Sequence, residues 1–506
     1  MASTAEIPAG ASVPRAGSVV LLAVATVLAS GAALWAVYGR LLGGCWGFVD
    51  DYVLTEGSGI FPDWPLWAWV ARDGRPLYGF LLNLALTPVD DICDLALVRH
   101  LNLGLEAVIA GLAAALAMRG GWPRTASAAL GLMLVALPGF ALAAAWATLV
   151  GPLVAVAAAL AAALLATTGD GSRPALGRLA GAACLLAAAL AIYQPAAMAF
   201  VPGVAIALVR RPATAAALRA GLLPALFVLA AVVVAYGLFF FLLPLLLPGA
   251  PASGRAAPVT DLAAKFAWFV GVPLRQAQNL FNLDPVPRFG FAVAAVIALG
   301  ALLRQRRFRR TAAALAIQAV AIVAAFLPNL VVAESWPSFR ASLPMAMTIA
   351  ALVAAAAVTV AERLAGRWGP ALAGLAVAAL AGHGLVVMRE ATANGIVNLQ
   401  REEWAALVAA VRPIAPGGDR TVALLPPPPV IDACREWQRF DEFGLPSSVR
   451  PWAAAAMMRH AWVAAHGDRP PPRFVVVAPR TAAPAGATTI DMAALLAAAA
   501  PRICGD

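Results

Sequence analysis

Runs of apolar residues long enough to cross a lipid bilayer constrain this chain more than any other feature. Val19–Val37, Leu95–Met118, Leu149–Thr167, Leu222–Leu247, Ala312–Val332 and Leu343–Val360 each reach or approach the ~20 residues a helix needs to span a hydrocarbon layer of ~30 Å. Shorter apolar runs, including Ala126–Leu142, Leu179–Ile192, Ala196–Val209, Phe289–Leu303 and Ala371–Met388, fill the intervals between turn and charge punctuation. With 62% hydrophobic and 12% charged residues in 506, a water-soluble fold has too little interior to bury this material. Strand alternation is absent from the runs, and a backbone crossing lipid must satisfy its own polar groups, so they are expected to be helices. The expected fold is an α-helical polytopic membrane protein with about eleven transmembrane helices.

The net charge of +10 does not point to nucleic acid, because the cations lie in short loops between apolar runs. Arg119/Arg124, Arg173/Arg178, Arg210/Arg211/Arg219, the run Arg304–Arg310 and Arg363/Arg367 alternate with loops that hold Asp50, Asp51, Glu56, Asp63, Asp73, Asp90, Asp91, Asp94, Asp261, Asp284 and Glu334. The positive-inside rule then places the N-terminal tail (1–17) and the arginine loops in the cytoplasm. The acidic loops and everything after Met388 fall on the periplasmic side of a bacterial inner membrane. The first apolar run is too long for a cleaved leader and reads as the first membrane helix.

Within the body, 18–388, the arginine-side loops are too short to build a site, so function points outward. The outer loop 43–94 is the longest and is rich in Trp, Asp and Gly. Cys45 and Cys93 flank it, while Cys434 and Cys504 lie in the tail. On an oxidising face these four allow two disulfides, Cys45–Cys93 and Cys434–Cys504, or remain free thiols. From 389 to 506 the composition changes to twelve basic and eleven acidic residues with short apolar runs only. Thr421–Leu425 and Phe474–Ala478 read as strands, and Leu399–Val411, Pro451–Ala465 and Ile490–Ala499 as helices. A small extracytoplasmic α/β domain is expected.

Phosphate-binding, zinc-protease, dithiol and nucleophile-elbow motifs are missing, and the four histidines lack metal-ligand spacing. No cofactor or metal is called for. The first outer loop carries the remaining chemistry. Asp50 and Asp51 follow the first membrane helix; adjacent residues on a helix diverge by ~100°, so one is expected to face a cavity and one to support it. A carboxylate there suits a base that takes a proton from an attacking sugar hydroxyl, although a solvated helix end would also explain it. Trp64, Trp67 and Trp69 sit at helical spacing, which fits an interfacial helix or rings that stack on sugar. Arg75 and Arg340 are cations of the kind that grip phosphate with a planar fork. Tyr193-Gln194-Pro195 interrupts the apolar stretch between two helices, where Gln194 meets either a ligand hydroxyl or a broken helix end. Glu106 is an ionisable group inside a membrane helix, with no role assigned.

The order Asp50-Asp51, Trp67/Trp69, Gly74-Arg75-Pro76-Leu77, then Tyr193-Gln194-Pro195 and Asp441-Glu-Phe-Gly-Leu-Pro-Ser447, resembles the type II O-antigen glucosyltransferase family of polytopic GT-C glycosyltransferases. The likeness spans most of the chain in layout and a few short places in sequence. It departs where the family often has a basic residue shortly after the Asp pair; here Val53-Leu54-Thr55 follows. The resemblance implies transfer of a hexose, glucose in the first instance, from a polyprenyl-phosphate donor to a cell-surface glycan such as lipopolysaccharide O-antigen. Asp50 or Asp51 would be the base, Arg75 and Arg340 would hold the donor phosphate, and Trp64, Trp67, Tyr193 and Gln194 would bind sugar or acceptor. The expected partners are that donor, a glycan acceptor and the bilayer. The rival reading is a transporter or flippase of a lipid-linked solute, and a second is a non-catalytic assembly component.

Overall fold

The computed structural model describes residues 16–56, 70–168, 172–211, 214, 216, 218–246, 257–284, 286–305, 307–417, 420–428, 440–478 and 481–504. The chain is mostly helical. Its principal helices, in order, are α1 (Ala16–Tyr38), α2 (Asp50–Thr55), α3 (Pro76–Leu86), α4 (Leu95–Arg119), α5 (Arg124–Val135), α6 (Pro138–Ala145), α7 (Val150–Ala166), α8 (Leu176–Ile192), α9 (Phe200–Leu208), α10 (Leu223–Leu246), α11 (Pro287–Gln305), α12 (Phe308–Ala324), α13 (Phe339–Leu364), α14 (Gly369–Thr392) and α15 (Leu399–Val411). The tail adds β1 (Thr421–Leu425), α16 (Pro451–His466), β2 (Arg473–Val476), β3 (Thr488–Asp491) and α17 (Met492–Cys504). Among the described residues, 7 helices are long and apolar enough to cross a membrane, and the pair α5 and α6, bent by 59°, makes up to 8.

Burial follows sequence character. α13 is apolar or small on nearly every face and is buried from Ala341 to Ala356, as expected of a helix surrounded by others. It contacts α6, α9, α11 and α14. α1 packs mainly on α4 and leaves Val20, Leu21, Val24 and Leu28 exposed, a face that lipid would cover. The arginines of the short loops tie helix ends together at one end of the bundle. Arg119 donates to the Leu164 carbonyl at 3.0 Å, and Arg178 donates to those of Leu164 and Thr167 at 2.9 and 2.8 Å. Arg304 donates to the Val209 carbonyl at 2.6 Å. These carbonyls belong to helix C-terminal turns, where cations oppose the helix dipole.

At the other end the tail folds onto the bundle. α14 runs through a π-turn at Ala393–Asn398 directly into α15. The sheet has the order β2-β1-β3, all parallel, with Val422, Ala423 and Leu424 of the central strand fully buried. Its third strand corrects one sequence expectation. Ile490 lies in β3 rather than opening a helix, which starts only at Met492, because Thr488-Thr489-Ile490 is β-branched. Asp491 then accepts from the N–H groups of Ala493 and Ala494 at the start of α17. Cys45 and Cys93 are joined in a disulfide, and Cys184 is free and exposed. The other candidate pair includes Cys434, which lies outside the described residues.

Candidate active site

The two aspartates have different surroundings. Asp51 is fully buried. Its Oδ2 accepts from the Phe48 N–H and its Oδ1 from the Thr148 N–H, both at 2.9 Å. Burial pushes its pKa up to about 6, against the pull of those N–H donors and of the Arg99 charge. Asp50, one residue earlier, is half-buried and accepts from Trp452 Nε1 at 3.2 Å. The ~100° divergence of neighbours thus turns one carboxylate into a brace between α2 and the segment before α7, and leaves the other facing outward.

The approach to the pair is tightly held. Val49 has φ 44°, a left-handed conformation that a β-branched residue adopts only under strain of ~1–3 kcal/mol. Its N–H donates to Ser447 Oγ at 2.8 Å, and Ser447 Oγ donates to Gln400 Oε1 at 2.6 Å. Glu403 is buried and accepts from the N–H groups of Ser447 and Ser448. On the other side, Arg99 spreads its guanidinium over three carbonyls, those of Leu42, Gly44 and Trp46 (2.8, 2.9 and 2.8 Å), and stacks on the Trp46 ring at 3.9 Å. Strain immediately before a half-exposed carboxylate, fixed from both sides, is the usual mark of a functional position.

Two cations share this end of the bundle. Arg340 opens α13 and lies over the Trp146 ring at 4.6 Å, with its Nε 3.3 Å from Glu442 Oε1. The first N–H groups of α13 are already satisfied: Phe339 donates to Asp441 Oδ2 at 2.8 Å and Ala341 to Ser338 Oγ at 3.1 Å. An anion here would therefore meet the guanidinium rather than the helix end. Arg75 precedes α3 and donates through Nε to Gln194 Oε1 at 3.1 Å, with its guanidinium over the Tyr193 ring at 4.6 Å. Among the described residues neither Nη of Arg75 has a hydrogen-bond partner. Gln194 Nε2 in turn donates to the Gly74 carbonyl at 3.0 Å and to the Tyr236 hydroxyl at 2.7 Å. Gly74 has φ +77°, and a Cβ there would lie 2.6 Å from the Phe240 ring, so this tight turn requires glycine.

Tyr78 joins the two halves. Its hydroxyl donates to the Thr148 carbonyl at 2.7 Å, next to the N–H that Asp51 holds. Its electrostatic neighbours are Asp50, Arg75, Arg340 and Tyr193; those of Arg340 include Tyr193, Asp50 and Tyr78. Asp50, Arg75, Tyr193, Gln194 and Arg340 therefore form one constellation, although 290 positions separate the first from the last. Trp64 and Trp67 lie outside the described residues.

Sequence reasoning passed over several members. Trp146 and Thr148 fall between the apolar runs Ala126–Leu142 and Leu149–Thr167, where the sequence assigns them no role; the connection from α6 to α7 carries them here. Arg450, between the rings of Trp336 and Trp452 at 5.1 and 5.6 Å, stood in a tail expected to be a separate domain. Glu442 lies in the segment 441–447, and the sequence assigns it no role of its own. Glu106 is buried in α4, and among the described residues neither of its carboxylate oxygens is hydrogen-bonded. No group of three or more His, Cys, Asp or Glu side chains suited to a metal ion occurs among the described residues. The sequence matches no family model, and no curated protein matches it.

Proposed function

We propose that this protein is a membrane glycosyltransferase of GT-C type, which moves a hexose from a polyprenyl-phosphate donor to a surface glycan. The observation that carries the reading is the gathering of a half-exposed carboxylate, Asp50, and two guanidinium groups, those of Arg75 and Arg340, around Tyr78 at one end of an apolar bundle. In this reaction the acceptor hydroxyl oxygen forms a bond to the anomeric carbon while the bond from that carbon to the phosphate oxygen breaks. The hydroxyl proton passes to Asp50, and the negative charge on the departing phosphate is met by Arg75 and Arg340. Asp51 positions the helix that carries the base. Tyr193 and Gln194 orient Arg75, Trp146 backs Arg340, and Trp336 and Trp452 offer ring faces to sugar.

The donor's chain also has a place. A cavity of about 380 Å³ lies between α9, α10 and α12, and Arg211, Gln305 and Gln318 are its polar lining residues. It reaches Phe200, six positions after Gln194. Counting the shorter helices α8, α9 (with Gln194–Ala197 before it) and α12 as crossings gives eleven passages. The arginine-tied end is then cytoplasmic and the site periplasmic in a bacterial inner membrane. The acceptor would be a glycan such as O-antigen, and the hexose glucose.

The test is transfer of radiolabelled glucose from polyprenyl phosphate to polysaccharide by purified protein in nanodiscs. Wild type is expected to form labelled polysaccharide, and Asp50→Asn to lose ~10²–10⁴-fold in rate with unchanged melting. Full activity in Asp50→Asn would remove Asp50 as base. Glu106, buried with no hydrogen-bond partner among the described residues, favours a second reading, a lipid-linked sugar flippase. Movement of labelled lipid across vesicles without sugar transfer, abolished by Glu106→Gln, would select it.

A further inference from the structure

We propose that a second cleft, behind α2 as seen from Asp50, binds the acceptor glycan several sugars away from the hydroxyl that reacts. This rests on the transferase reading above. The cleft has a volume of about 720 Å³, within the range of sites that enclose a ligand larger than one sugar. One wall is a single face of α15, with Arg401, Trp404 and Val408 at helical spacing and Arg412 capping its end. His460 and Val463 of α16 form the second wall, and Asp90 and Asp91, at the corner closed by the Cys45–Cys93 disulfide, form the third.

The chemistry of these walls selects the ligand. Two carboxylates, Asp90 and Asp91, share the cleft with the Arg412 guanidinium and with that of Arg401, which also donates to the Leu41 and Gly43 carbonyls, so the cleft favours neither a polyanion nor a polycation. Carboxylates accept from hydroxyls and guanidinium groups donate to them, and both do so in pairs that suit the vicinal hydroxyls of a sugar ring. The edge of Trp404 and the Val408 and Val463 side chains supply apolar surface for the ring carbons. A neutral oligosaccharide has this mixture of requirements. Asp90, Asp91 and Arg412 are exposed, and the cleft opens to the same end of the bundle as Asp50.

Helix α2 connects the cleft to the reacting carboxylate. Tyr52 stacks on Trp404 with ring centroids 5.8 Å apart, and Thr55 Oγ1 lies 3.1 Å from His460 Nε2, while Asp50 on the same short helix meets Trp452. A polymer seated behind α2 would be held beside the base without touching it, which raises the local concentration of its reacting end. The predicted signature is an effect on the Michaelis constant for long acceptors alone.

The test is an Arg412→Ala/Asp90→Asn double variant, altered at two exposed positions outside the catalytic machinery. Two acceptors are compared: lipid-free surface polysaccharide from the cells that make the protein, and methyl glucoside. The expected result is a tenfold or greater rise in KM for the polysaccharide, with kcat and the KM for methyl glucoside unchanged. Calorimetric binding of the polysaccharide without donor should weaken in parallel. Unchanged polysaccharide KM and binding would overturn the cleft while leaving the transferase reading in place. If wild type transferred sugar to neither acceptor, the transferase reading would fall. Donor-free binding that is lost in the variant would still support the cleft, and binding retained there would refute it.

Discussion

Replacing Asp51 with asparagine tests whether this carboxylate is a buried brace. In the native protein its two oxygens accept from the N–H groups of Phe48 and Thr148. An amide keeps one acceptor and turns an NH₂ toward the other N–H, and stranding one buried donor costs ~1–3 kcal/mol. The pH dependence is the sharper part. Burial raises the Asp51 pKa to about 6, whereas an unfolded aspartate titrates near ~3.9. The folded state therefore holds the proton more tightly, and the stability this group contributes is full below pH ~4 and falls as pH rises to ~6. The loss corresponds to about 3 kcal/mol. Asparagine has no such loss, so the variant's deficit relative to wild type should be largest near pH 4. It should shrink by about that amount, or reverse, above pH 6.5. Apparent melting temperatures of both proteins in detergent, measured from pH 4 to 8, give the difference directly and cancel the titration of other groups. A deficit that stayed constant, or widened as pH rose, would refute the reasoning.

Other sites give simpler tests. A Cβ on Gly151 would collide with the Tyr78 ring, so Gly151→Ala should cost ~1–3 kcal/mol in melting experiments through overpacking; Tyr78→Phe, which loses only the bond to Thr148, should cost ~1 kcal/mol. Gly74→Ala and Gly74→Asn should both destabilise, since each adds the Cβ that meets Phe240; a tolerated asparagine would show that φ alone matters at this turn. The Cys45–Cys93 bond closes a loop with a sequence separation of 48 and should contribute about 4 kcal/mol by chain entropy. Dithiothreitol is expected to lower the melting temperature of wild type and leave a Cys45→Ser/Cys93→Ser variant unmoved.

The local parts of this protein were legible from local sequence. Long apolar runs allow only helices in lipid, so α1, α4, α7, α10, α13 and α14 could be located from Leu, Val and Ala content, and the arginine loops between them share one end of the bundle. β1, α15 and α16 were likewise readable from periodicity, because their neighbours in the chain set their pattern. Contacts that bridge distant segments were not. Nothing near Asp50 in sequence distinguishes it from Asp51; the distinction is made by Thr148, Trp452 and Ser447, 97 to 402 positions away. Pro138 marks a break in its apolar run, but nothing in that run shows that Trp146 beyond it meets Arg340. The tail looked separable because its composition changes at Arg389, yet its 440–450 segment caps α13 and steadies Val49. Hydropathy records what each residue does toward lipid or water, whereas a site depends on which side chains tertiary packing brings within hydrogen-bonding reach.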